Sequence, residues 1–84
     1  MKRTEVYEKL LETARSLFDR VEIGQGDFRG GPCMIRGERC LILNKTAGLD
    51  TNLKLVANTL AELNLDERYL LPAIRDAIEK YSDS

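Results

Sequence analysis

The chain has 84 residues, 43% hydrophobic and 32% charged, with a net charge of -1. This balance predicts one soluble globular domain over residues 1–84 and argues against a disordered chain or a nucleic-acid partner, which usually requires a strongly basic face. No apolar run approaches the ~20 residues of a membrane span, so we expect no membrane partner. The absence of histidine excludes imidazole bases and imidazole metal ligands.

Two cysteines, Cys33 and Cys40, are too few for a four-thiolate zinc site. Residues 1–5 lead into an acidic amphipathic pattern rather than the apolar segment of a secretory signal. We therefore expect a cytoplasmic location with reduced thiols, and no cofactor.

The first element is a predicted helix over residues 5–19 with Thr4 as its N-cap. Its apolar face recurs at spacings of three and four: Tyr7, Leu10, Leu11, Ala14, Leu17 and Phe18. Next, Val21 and Ile23 alternate with polar residues, which predicts a strand. Four glycines follow within residues 24–31. No phosphate-loop ending follows them, so a turn is the favoured interpretation over a phosphate cradle.

The central prediction is a β-hairpin over residues 33–43. Two registers fit the sequence. A Gly37-Glu38 loop sets Cys33 opposite Ile42, whereas an Arg36-Gly37 loop sets Cys33 opposite Cys40 at a hydrogen-bonded pair. Neither register favours a disulfide.

In either register, the side chains of the hairpin fall into two sets, one on each face of the sheet. One face holds Cys33, Ile35, Cys40 and Ile42, and the other holds Met34, Arg36, Arg39, Leu41 and Leu43. Residues 40–43 are apolar on both faces, which predicts a central strand. We expect the cysteine face to pack against a helix, leaving both thiols buried and slow to react.

Two more helices complete the fold, one over 51–63 with Asp50 as N-cap and one over 72–81 with Pro72 at its first position. The predicted class is therefore α+β: three helices packed with a small antiparallel sheet of about three strands.

Residues 21–63 resemble the core of ImmA/IrrE-type zinc peptidase domains. The motifs concerned are Gly30-Gly31-Pro32-Cys33, Leu41-Ile42-Leu43-Asn44 and the helix LVANTLAEL at 55–63. The resemblance implies a zincin-like core, but it puts Asn58, Thr59 and Glu62 where the family has two zinc histidines and a glutamate base. Because these side chains cannot supply the metal site and the base, the implied relative is catalytically dead.

The sequence thus favours a non-enzymatic interaction or regulatory domain, with Met34, Arg36, Arg39 and Leu41 as candidate contact residues. The alternative is a thiol- or metal-dependent protein that uses Cys33 and Cys40. An acid–base enzyme built on Asp27 and Glu62 has little support, because nothing in the sequence places the two together.

The expected partner is a second copy of the chain or another protein. Three helices most easily cover one face of a small sheet. Either a second subunit or the helix at 72–81 is then expected to cover the other face.

Overall fold

The computed structural model describes residues 2–65 and 70–82. Their elements, in chain order, are α1 (Arg3–Leu17), β1 (Arg20–Gly24), β2 (Gly31–Ile35), β3 (Glu38–Asn44), a 3₁₀ turn (Lys45–Ala47), α2 (Leu49–Glu62) and α3 (Pro72–Tyr81). The predicted α+β class, with three helices and three strands, is confirmed.

α1 begins and ends two residues earlier than predicted, and α2 begins two residues earlier and ends one residue earlier. α1 is capped by Lys2 without a side-chain hydrogen bond, so Thr4 lies inside the helix. α2 follows Gly48, whose φ is 89°, and Asp50 lies in its first turn. There the Asp50 carboxylate accepts a hydrogen bond from Arg3 Nη1 at 2.9 Å. α3 has the predicted bounds, with Pro72 in its first turn.

The sheet has the order β1-β3-β2, which confirms β3 as the central strand. β2 and β3 form the predicted antiparallel hairpin, whereas β1 runs parallel to β3. The sheet is therefore mixed rather than wholly antiparallel. The physical reason is the connection over residues 25–30, named here the crossing loop, which carries the chain from one edge of the sheet to the other.

The hairpin takes the second of the two registers considered. Cys33 lies opposite Cys40, and Ile35 lies opposite Glu38, which leaves Arg36 and Gly37 as the two-residue loop. Both loop residues have positive φ, 51° and 81°. This combination is typical of the type I′ turn, whose twist matches that of the flanking strands.

The pairing of β1 with β3 shows which side chains share each face of the sheet. It sets Val21 beside Leu41 and Ile23 beside Leu43, and both leucines are fully buried in the core. On the opposite side, it sets Arg20 beside Cys40 and Glu22 beside Ile42.

We name this opposite side the open face; it holds Arg20, Glu22, Cys33, Ile35, Glu38, Cys40 and Ile42. The prediction that the cysteine face packs against a helix is wrong, because β1 adds charged side chains to that face.

The C-terminal helix does not cover the open face. α3 packs against α1 and α2, and its Ile74 and Ile78 join the core that contains Leu41 and Leu43. Of the two alternatives for the second face, cover by residues 72–81 is therefore wrong.

Side chains of the sheet itself shield part of the open face. Arg20 lies 3.4 Å from a Glu22 oxygen and 3.6 Å from a Glu38 oxygen. Cys40, which is opposite Arg20 on the neighbouring strand, has no exposed surface. Part of the apolar surface of the open face is thus shielded from solvent without a partner molecule.

Truncation of the core helix should be costly. Leu60 on α2 is 1% exposed, so Leu60→Ala should lower the free energy of unfolding by about 2–5 kcal/mol, as buried leucine truncations do. Urea denaturation measures this change. Met34→Ala is the matched control, because Met34 is 66% exposed and its truncation should cost about 0.5 kcal/mol or less. Equal losses in the two variants would contradict the core described here.

Candidate functional site

Asn44 holds the crossing loop where it passes the C-terminal end of β3. The loop must pass this end because β1 ends with Gly24 beside Asn44 and β2 begins with Gly31 beside Ile42. Asn44 Nδ2 donates hydrogen bonds to the carbonyl oxygens of Gly26 and Phe28, both at 2.8 Å.

Two further hydrogen bonds extend this arrangement to the start of α2. The amide of Thr46 donates to Asn44 Oδ1 at 2.9 Å, and Asn52 Nδ2 donates to the Asn44 carbonyl oxygen at 2.9 Å. Asn44 and Asn52 are both buried. The pair therefore joins the crossing loop, the end of β3 and the first turns of α2.

Gly30 is required at the same crossing for a steric reason. A Cβ atom at this position would lie 2.5 Å from the carbonyl oxygen of Ile42, which is closer than real Cβ contacts come. Gly30 thus serves a close backbone approach, in keeping with the turn interpretation of residues 24–31.

A cleft of about 690 Å³ lies beside this crossing. Its lining includes Asp27, Phe28, Arg29, Asn44, Asn52 and Leu55. Both amide protons on Asn44 Nδ2 already have partners in the loop. Within residues 2–65 and 70–82, no buried side-chain nitrogen or oxygen lacks a hydrogen-bond partner. The cleft is therefore a concave surface without an unpaired buried polar group that could orient a ligand.

The exposed edge of β2 is the second candidate surface. In a hairpin with a two-residue loop, the residues that flank the loop, here Ile35 and Glu38, form a hydrogen-bonded pair. Beyond them, non-hydrogen-bonded and hydrogen-bonded pairs alternate along the two strands. Pro32 and Met34 are at non-bonded pairs, so their backbone groups point away from β3. Because proline has no N–H, this edge offers the Pro32 carbonyl and both backbone groups of Met34.

A groove of about 320 Å³, named here the β2 groove, lies next to this edge. It is lined by Phe18, Pro32, Cys33, Met34, Arg39, Thr59, Glu62 and Leu63. It brings together two predicted contact residues, Met34 and Arg39, and two of the motif positions on α2, Thr59 and Glu62. Phe18, Pro32 and Leu63 were not among the predicted site residues, because each has the pattern of an ordinary core or turn residue.

The other predicted site residues lie elsewhere. Arg36 is exposed at the hairpin turn, whereas Leu41 has no exposed surface and cannot contact a partner. Asn58 is half-buried on α2. Asp27 and Glu62 line separate cavities, so the structure gives no support to an acid–base pair.

The motif positions on α2 show no metal-binding arrangement. The Thr59 hydroxyl is buried and donates to the carbonyl oxygen of Leu55 at 2.8 Å, one helical turn earlier. Glu62 is exposed. Over the described part of the chain, no group of three or more Cys, Asp or Glu side chains is placed to hold a metal ion.

The two thiols have different environments. Cys33 is exposed and Cys40 is buried, and both are free. The Cys40 thiol is 3.7 Å from the carbonyl oxygen of Glu38, to which it donates. Burial raises the pKa of Cys40, and the nearby Cys33 and Glu38 raise it further. The expectation that both thiols are buried is thus correct only for Cys40.

Comparisons with protein-family models, with curated proteins and with solved structures gave no match. The resemblance of residues 21–63 to ImmA/IrrE-type domains therefore stays a prediction from the sequence. None of the described helices is long and apolar enough to cross a membrane.

Removing the Asn44 side chain should destabilise the fold more than its size suggests. Asn44→Ala leaves the Gly26 and Phe28 carbonyls and the Thr46 amide without their partner, so the free energy of unfolding should fall by about 2–3 kcal/mol. Urea denaturation measures the loss.

The control is Asn44→Asp, which keeps the acceptor for Thr46 but turns a carboxylate toward two carbonyl oxygens. It should be at least as destabilising at neutral pH and should recover part of the loss as the pH falls and the carboxylate is protonated. A neutral effect of both variants would show that Asn44 does not hold the crossing loop.

Proposed function

We propose that this protein is a non-enzymatic interaction domain that binds an extended segment of another protein along β2. The observation that carries the proposal is an exposed edge strand without charged residues, Gly31–Ile35, next to an apolar groove. Edge strands usually carry charges that prevent pairing with another chain, and β2 has only Pro32 in that role. The proposal places the domain in the cytoplasm, in keeping with its free thiols.

The backbone of β2 supplies the first part of the binding energy. A strand that adds to a sheet edge gains main-chain hydrogen bonds, and pockets beside the edge select its side chains. Here the Met34 N–H, the Met34 carbonyl and the Pro32 carbonyl can pair with an incoming strand. Three such groups allow a short ladder, so the bound segment spans about four or five residues.

The β2 groove supplies selectivity for one apolar side chain. Alternate residues of the bound strand point to the same side of the sheet, so one of them enters the groove between Met34 and Leu63. Met34 is 66% exposed and would be covered by such a side chain. A contact of this size is well below the ~800 Å² per partner of a standard interface, which predicts weak, transient binding.

The charges around β2 favour an acidic segment. Arg29 precedes β2, Arg36 lies in the hairpin turn that follows it, and Arg39 lies on β3 opposite Met34. Arg36 and Arg39 form no ion pair with the described residues. Glu62 is the acidic residue on the groove lining. A segment with one apolar residue flanked by carboxylates complements this arrangement.

The same charges argue against a second copy at this edge. Antiparallel pairing of β2 with itself aligns the arginines of both chains along one seam, where like charges repel. The expected homodimer is therefore the less favoured occupant, and its presence is an outcome of the test below.

The test starts from a phage-displayed library of random peptides selected on the immobilised protein. The enriched sequences should combine one large apolar residue with flanking Asp or Glu. The best peptide, made synthetically, should bind with a micromolar Kd by isothermal titration calorimetry, and its binding should weaken with added salt.

Backbone and charge variants locate the site. Met34→Pro removes the outward N–H without removing a hydrogen bond to β3, and should weaken binding at least tenfold. Met34→Ala separates the side-chain part of that loss. Arg39→Glu should weaken binding, whereas Lys9→Glu on the exposed side of α1 should leave it unchanged. Circular dichroism and thermal unfolding check that each variant is folded.

Two outcomes would overturn the proposal. Peptide binding that is unaffected by Met34→Pro would exclude β2 as the site. Alternatively, light scattering at tens of micromolar could show a mass of twice 9.5 kDa that returns to 9.5 kDa in Met34→Pro. A second copy, rather than another protein, would then be the partner of this edge.

A further inference from the structure

We propose that Cys33 and Cys40 form a dithiol that is reversibly oxidised to a cross-strand disulfide. The two residues lie directly opposite each other in the β2–β3 ladder, and one is exposed while the other is buried. The proposal does not rest on peptide binding at β2, because the pairing of Cys33 with Cys40 and the exposure of each residue are observed without a bound segment.

The geometry of this pair allows a bond but strains it. Cα atoms at a hydrogen-bonded antiparallel pair are about 5.5 Å apart, within the 4.4–6.8 Å range of disulfides. Their Cβ atoms are about 5–5.5 Å apart, whereas a disulfide requires about 3.5–4.5 Å. Closing the bond therefore draws the two strands together by roughly 1 Å. Strained disulfides have higher reduction potentials and are the labile ones, which favours a reversible bond over a permanent link.

The difference in exposure assigns the two roles. Cys33 is open to a small oxidant, whereas Cys40 has no exposed surface and is shielded on the side of Arg20. Arg20 is itself held by ion pairs to Glu22 and Glu38. An oxidant in solution thus reaches Cys33 first, and Cys40 reacts only with its cross-strand neighbour.

The oxidant that we propose is a hydroperoxide, here hydrogen peroxide. The Cys33 thiolate attacks one peroxide oxygen, the O–O bond breaks, and a Cys33 sulfenic acid and hydroxide form. The Cys40 thiolate then attacks the Cys33 sulfur and expels the sulfenic oxygen as hydroxide. After protonation, two thiols and one peroxide have given one disulfide and two waters. An external dithiol reverses the change by thiol–disulfide exchange.

The pH dependence follows from the buried partner. Burial raises the pKa of Cys40, Cys33, Glu38 and Glu22 raise it further, and Arg20 opposes them. Near neutral pH the Cys40 thiolate is therefore scarcer than for an ordinary cysteine. The second step should accelerate as the pH rises toward this raised pKa.

The experiment treats the full-length reduced protein with hydrogen peroxide, removes the excess, and labels free thiols with a maleimide in denaturant. The wild type should lose both labelled thiols, lose two hydrogen atoms by intact mass, and stay monomeric on a non-reducing gel. Dithiothreitol should restore both thiols.

Three variants distinguish this route from unspecific oxidation. Cys40→Ser should stop at a sulfenic acid on Cys33, trapped by dimedone, and Cys33→Ser should protect Cys40. The double variant Cys33→Ser with Ile35→Cys keeps two thiols on the same face but sets them diagonally, about 7–8 Å apart, beyond disulfide reach. It should form an intramolecular disulfide at least about tenfold more slowly than the wild type.

Three results would overturn the proposal: retention of both thiols by the wild type, overoxidation of Cys33 while Cys40 stays free, or disulfide-linked dimers through Cys33. Equal rates in the wild type and the diagonal variant would also overturn it, because the cross-strand register would then be irrelevant.

Discussion

The passage of the crossing loop over the end of β3 is the constraint on which the rest of the sheet depends. It requires a close backbone approach at Gly30 and a side chain, Asn44, that holds the loop to the strand end. The crossing makes β1 parallel to β3 and leaves β2 at the opposite edge. Through this strand order it decides which hairpin face meets the helices, and thereby the exposure of Cys33 and the shielding of Cys40.

The local elements were predictable from the sequence, because periodicity and turn chemistry are local properties. The apolar spacing of α1 and α2, Pro72 at the start of α3 and the two-sided apolar run of β3 each indicated the observed element. The direction of β1 was not predictable, since the alternation of Val21 with Arg20 and Glu22 is the same in either direction. The cysteine face was wrongly assigned because the sequence does not give the pairing of β1, which sets Arg20 beside Cys40 and Glu22 beside Ile42.

The candidate site was predictable only in pieces. Met34 and Arg39 were predicted from their positions in the hairpin, whereas Thr59 and Glu62 were predicted from a motif. The β2 groove brings these two pairs together although at least twenty residues of sequence separate them. No local pattern encodes that proximity, because it arises where the β2 edge lies over the C-terminal part of α2. Leu41 was misjudged for the same reason as the cysteines. The structural role of Asn44 had one local signal, an asparagine at the end of a buried strand.

The central place of β3 also orders the events of folding. β1 and β2 are not neighbours, so every hydrogen bond between strands of this sheet involves β3. During synthesis, residues 1–37 leave the ribosome before β3. Neither β1 nor β2 can then form its native strand pair. Once β3 emerges, the hairpin closes over two residues, whereas β1 must close a loop to partners twenty residues away. The shorter loop has the smaller entropic cost, so we expect the hairpin to form first and β1 to dock on it.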